Sequence, residues 1–211
     1  MSAAVPPDSP AVRPRSLVDR VKGILLTPHA EWQVIDREPA TVGSIYTGYV
    51  LILAAIPAIC AAIGLSLIGM NVPLLGELKI GPMVAVRVAV VRYLSALIGV
   101  YVLALIIDAL APSFGGQKNQ VQAFKVAAYS ATAAWVVGIF SLLPALSILG
   151  LLGLYSLYLL YVGLPILMKS PTDRALGYTV IVILAAFVVF AVVGYAANAL
   201  SGMPGVGMGY R

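Results

Sequence analysis

Residues 44–69 read SIYTGYVLILAAIPAICAAIGLSLIG, a run with no charged side chain in it. A helix needs about 20 predominantly apolar residues to cross the hydrocarbon of a bilayer, and this run exceeds that. Four more runs follow, at about 93–111, 124–146, 149–168 and 178–200. Between them stand Asn71-Val72-Pro73, Pro112 to Gly116, Pro144 and Ser170-Pro171, the residue types that punctuate helices. Composition agrees. Of 211 residues, 61% are hydrophobic and 10% charged, and the mean hydropathy is +1.01. A soluble domain is about 45–50% apolar and about 25% charged. The expected fold class is therefore all-α: a polytopic membrane protein whose residues 44–200 form a bundle of five transmembrane helices.

Upstream, residues 1–15 are rich in proline and small polar residues and too poor in apolar ones to fold, so a disordered tail is expected. From Ser16 the pattern changes. Leu17, Val18, Val21, Ile24 and Leu25 fall on one helical face, and Ser16 with Asp19 fits a capping box. Thr27-Pro28 restarts a helix, with Thr27 as N-cap and Pro28 at the first helical position, ending at Pro39. Segment 16–43 is expected to be cytoplasmic and amphipathic, its two short helices lying in the headgroup region. Trp32 would be the interface anchor, with Arg20 and Lys22 flanking the apolar stripe. The alternative is that these helices pack on the loops of the bundle. The tail 201–211 is glycine-rich and expected to be flexible.

Charge placement suggests an orientation. Nine basic residues, including Arg20, Lys22, Lys118, Lys125, Lys169 and Arg174, fall on the side of the N-terminus, against four (Lys79, Arg87, Arg92, Arg211) on the other. The positive-inside rule then puts the N-terminus in the cytoplasm and the C-terminus outside. No cleaved signal peptide is expected, because the first apolar run begins only near Ser44. Arg87 and Arg92, in GPMVAVRVAVVRYL, work against this count. Either the stretch lies along the outer interface, or the helix of span two begins near Met83 and tilts. The arginines then serve as anchors or contact an anion or lipid headgroup.

Residues for chemistry are scarce. One histidine, His29, and one cysteine, Cys60, fall on different levels and can form neither a catalytic dyad nor a zinc site. FGGQKNQ lacks the ending of a phosphate loop, and the glycines of MPGVGMGY follow no strand. The net charge of +5 is scattered, with no basic stripe interleaved with aromatics, so nucleic acid is not an expected partner. No catalytic, cofactor or metal site is expected. Inside the membrane, Asp108 is expected to ion-pair with Lys118 or Lys125, the alternative being a proton or cation relay. Tyr155, Tyr158 and Tyr161 share one face of span four. Their hydroxyls either bond neighbouring carbonyls in helix packing or line a small cavity. Alanines at four-residue spacing, such as Ala54, Ala58 and Ala62, imply close helix approach.

Several stretches carry a family resemblance. RVKGILLTPHAEWQVIDREP (Arg20 to Pro39) is similar to the opening of bacterial members of the Yip family, membrane proteins named for interaction with Ypt/Rab-type small GTPases. AFKVAAYSATAAWVVGIFSLLP (Ala123 to Pro144) resembles that family's third span. YSLYLLYVGLPILMKSP (Tyr155 to Pro171) resembles its fourth span and exit loop, and is the most specific match. The Asp-Leu-Tyr-Gly-Pro element of eukaryotic members is absent. The resemblance implies a five-span protein of the bacterial inner membrane, with no catalytic residues to carry over. The expected function is non-enzymatic: organising the membrane, or docking another membrane protein or a cytoplasmic protein through the amphipathic segment. A small transporter or channel subunit is the alternative.

Overall fold

The computed structural model describes residues 16–72, 76–78 and 81–201. Five helical stretches among them are long and apolar enough to cross a membrane: Val42–Ile68, Pro82–Phe114, Gln120–Leu142, Ile148–Met168 and Thr172–Ala196. These are spans one to five. The all-α class and the count of five hold. The expected tails lie outside the described residues, apart from Ser201 at the end of the last helix.

Span two departs most from its expected bounds. It begins at Pro82 and not at Tyr93, in agreement with the alternative of a start near Met83, so Arg87 and Arg92 lie within one continuous helix, Pro82–Leu110. Proline fits the first turn of a helix, where its missing N–H has no intrahelical role, and no glycine or proline interrupts the next turns until Gly99. Span three ends early. Leu143 turns extended (φ −114°, ψ 100°) ahead of Pro144, because the proline ring disfavours the α region for the residue before it. Spans one and two are joined by a short antiparallel ladder of β1 (Met70–Val72) and β2 (Gly76–Leu78), with Met70 opposite Leu78.

Tyrosines register the spans against one another. Tyr46 donates to the Leu97 carbonyl at 2.7 Å and Tyr93 to the Leu51 carbonyl at 3.0 Å, fixing span one against span two. Tyr178 donates to Ile107 O at 2.5 Å, fixing span five against span two. Each hydroxyl finds a backbone acceptor, as a buried phenol requires. The outer surface is apolar, with Ile59, Leu67, Leu105, Leu184 and Phe187 exposed, as a lipid-facing surface should be.

Ahead of the spans lie two helices, α1 (Leu17–Leu26) and α2 (Pro28–Arg37). Ser16 caps α1, its Oγ accepting from Asp19 N at 3.2 Å. Thr27 takes the N-cap position of α2 and Pro28 its first turn, as expected, but the Thr27 side chain makes no capping bond to α2. Its hydroxyl turns back to donate to Gly23 O at 3.2 Å, closing the end of α1 instead of opening α2.

Candidate functional site

The two helices form an antiparallel hairpin that runs down the side of the bundle instead of lying across its end. The hairpin closes at Gly23, where a Cβ would lie 2.4 Å from a carboxylate oxygen of Glu31; only hydrogen fits. Successive contacts trace it along span four. Asp36 meets Lys169 (Oδ2–Nζ 2.6 Å), Trp32 packs on Gly163, and His29 Nε2 lies 3.4 Å from the Tyr158 hydroxyl. At the tip, Tyr155 donates to Leu25 O at 3.2 Å. Tyr155 and Lys169 are fourteen residues apart, about 21 Å along a helix at about 1.5 Å per residue. The tip of the hairpin therefore stands deep beside span four, and its backbone stays hydrogen-bonded through the turn: Thr27 N to Gly23 O and Glu31 N to Thr27 O.

Burial follows from this placement. Trp32 and Ile24 are 0% exposed. A Cβ on Gly163 would sit 2.7 Å from the Trp32 ring, so the indole uses the space that glycine leaves. Trp32 is thus not an interface anchor: its partner is protein. An apolar stripe specifies a dry neighbour, and here spans three and four supply it rather than lipid.

Beneath the hairpin lies a buried charge network. Arg20, 5% exposed, donates to Glu31 at 2.6 Å and also to Glu38, and its guanidinium lies 5.7 Å from the centre of the Tyr129 ring. Tyr129 meets Tyr49 edge to face at 4.7 Å and Trp32 at 6.4 Å. Thr132 donates to Tyr129 O at 2.5 Å, so at the 2.6 Å contact between Tyr49 and Thr132 the tyrosine is the donor. Lys125, 3% exposed, donates to the carbonyls of Ile35 and Glu38 at 2.8 and 2.6 Å. It satisfies acceptors at the end of α2 where a cation is favoured. Gln122 reaches Asp36 O at 3.1 Å. Three cations (Arg20, Lys125, Lys169) and three carboxylates (Glu31, Asp36, Glu38) balance. Buried ions persist only when paired and hydrogen-bonded in this way. A cavity of about 330 Å3 opens beside the network, between Leu17 of α1 and Ser44 and Gly48 of span one, with Arg20, Glu38, Tyr49 and Tyr129 on its wall.

The remaining expected site residues are scattered. Arg20 is buried, so it is not a membrane contact. Lys22 stays exposed on the outward face of α1, beside Asp19 and Leu26. Arg87 and Arg92 are exposed on span two. Asp108 pairs with neither expected lysine, because Lys125 is committed to α2; its Oδ1 is buried without a hydrogen-bond partner. Tyr155 and Tyr158 are turned to the hairpin, and Tyr161 is 42% exposed. Among the described residues no group of histidine, cysteine and acidic side chains could hold a metal.

Glu31, Glu38, Lys125, Tyr49 and Tyr129 were not expected as site residues. One signal was available for the arginine that joins them: Arg20 lies three residues after Leu17 and four before Ile24, a charge on the buried stripe itself.

The Yip1 domain family matches residues 22–193, which covers the second half of α1, all of α2 and most of the bundle. The chain belongs to the Yip1 domain family. It is a multi-pass integral membrane protein. It is 35% identical over 127 residues to inner membrane protein YohC of Escherichia coli strain K12 and, equally, to that of E. coli O6:H1 strain CFT073. Each match covers 60% of this chain and 65% of the relative, just under two thirds of the relative's length. No solved structure matches.

Proposed function

We propose that this protein is a non-enzymatic organiser of the bacterial inner membrane, the membrane named for its relative YohC, and that the inserted hairpin is the working part. The observation that carries this reading is the one-sided placement of α1 and α2. They lie beside span four from Lys169 to Tyr155 and no further, so the molecule is two helices wider toward the Lys169 end of the bundle than toward the other end. A helix with its side chains is about 10 Å across, so two add on the order of 150 Å2 to one side. A molecule wider in one leaflet favours curved bilayers, as shallow insertion of amphipathic helices does. With the N-terminus inside, as the basic residues favour, the wider side is cytoplasmic.

The transport alternative receives less support, since Tyr155 and Tyr158 meet the hairpin rather than a pathway. The test is curvature sorting of labelled full-length protein between small and large vesicles in one reconstitution. Enrichment on one size class that Arg20→Ala abolishes, with insertion retained, supports the wedge. Equal density of the wild-type protein on both removes it.

A further inference from the structure

Arg92 is exposed on the surface of span two, and its level in the bundle is fixed. Its neighbour Tyr93 donates to Leu51 O at 3.0 Å, so Arg92 stands level with Leu51. That residue is seventeen positions from the end of span one at Ile68, about 25 Å at about 1.5 Å per residue. Exposed apolar side chains flank this level: Ile59 and Leu67 toward one end, Leu94 and Ile98 toward the other. No hydrogen bond or ion pair joins Arg92 to another described residue. A lone guanidinium in an apolar band is costly unless an anion or water meets it.

Beside it, Ala55, Ala58 and Ile59 of span one and Ala89, Val90 and Tyr93 of span two line a wholly apolar groove of about 240 Å3. The small side chains at Ala55, Ala58 and Ala89 leave the space. We infer that the seam of spans one and two is a binding site for an anionic phospholipid, with an acyl chain in the groove and its phosphate drawn to Arg92.

Charge complementarity selects this occupant over a second copy of the chain. Between Glu38 and Asp108 the only acidic residue is Glu77, in the connection beyond the end of span one. Spans one and two of a second copy therefore bring no carboxylate to the level of Arg92. A phospholipid supplies both required parts, chain and phosphate, and arginine pairs with phosphate through two parallel donors. The groove shares no residue with the cavity beside the hairpin network.

The test is native mass spectrometry of delipidated full-length protein titrated with phosphatidylglycerol, and separately with phosphatidylethanolamine and inorganic phosphate. The wild type is expected to retain phosphatidylglycerol preferentially, and inorganic phosphate not to displace it. Arg92→Gln should weaken phosphatidylglycerol about fivefold, the effect of one basic side chain at an anionic lipid, while Arg92→Lys keeps most of it. Ala89→Phe, which fills the groove and leaves the charge, should weaken both lipids alike. Binding of phosphatidylglycerol by Arg92→Gln at the wild-type level would overturn the phosphate contact. Unchanged binding by Ala89→Phe would overturn the groove. If Arg92→Gln does not fold, Ala89→Phe still tests the groove, and equal retention of phosphatidylglycerol and phosphatidylethanolamine by the wild type would overturn the phosphate contact.

Discussion

Arg20→Ala is the change with the largest expected consequence for the hairpin. The guanidinium is 5% exposed and meets Glu31, itself 2% exposed, and Glu38. Removing it takes from these two acidic side chains the cation they share. Breaking a buried ion pair from one side costs about 3–5 kcal/mol. At about 1.4 kcal/mol per factor of ten, the undocked fraction of the hairpin should rise by between about one hundred and several thousand fold. Ile24 reports this, because it is 0% exposed on the docked face of α1. With Cys60, the sole cysteine, replaced by alanine, an Ile24→Cys protein should react slowly with maleimide. Adding Arg20→Ala should accelerate the reaction at least about a hundredfold if docking is in rapid equilibrium. Neutralising the whole group, with Arg20→Met, Glu31→Gln and Glu38→Gln together, should restore much of the protection, because a buried ionic group replaced as a unit loses little. A maleimide rate for Arg20→Ala within threefold of the parent would refute the reasoning, since the charges would then not hold the hairpin.

Other changes separate packing from charge. Gly163→Ala places a Cβ 2.7 Å from the Trp32 ring, so the thermal midpoint in detergent should fall by an amount typical of overpacking, about 1–3 kcal/mol, and Trp32→Phe should relieve part of that loss. Lys125→Met strips the donor from two carbonyls at the end of α2 and should cost about 1–3 kcal/mol. Lys169→Met, whose side chain is 48% exposed, should cost less than about 1 kcal/mol and lose even that at high salt; chemical denaturation at two ionic strengths checks both.

Much of the fold could be read from uncharged runs, because a bilayer imposes one length and one polarity on whatever crosses it. The break at Thr27-Pro28 was equally legible, since proline at the first helical turn is a local signal. For span two the sequence leaves two starts open, near Tyr93 or near Met83, because an arginine can end a span or snorkel from within it. Nothing in arginine's backbone preference stops a helix, and the structure carries the helix straight through Arg87 and Arg92 to Pro82. The placement of Trp32 illustrates a different limit. An amphipathic stripe reveals which side of a helix is dry, but lipid and protein are both dry. Gly163, which makes room for the indole, is more than a hundred positions away. The same holds for Arg20: its place on the stripe was a visible anomaly, while Tyr129 and Lys125, which complete the network, stand on another span.

If α1 and α2 run into the membrane beside span four, depth must increase along α1. Val18 and Leu26 are both exposed, at 56% and 77%, and eight residues apart, about 12 Å along the helix. Nitroxides placed at each site in turn, read by collision with oxygen and with a water-soluble nickel complex, give the depth of each. Leu26 should lie deeper than Val18 by on the order of 10 Å, with Lys22 between them. Equal, shallow depth at all three positions would mean that the helix lies flat in the headgroup region, and would contradict insertion beside span four.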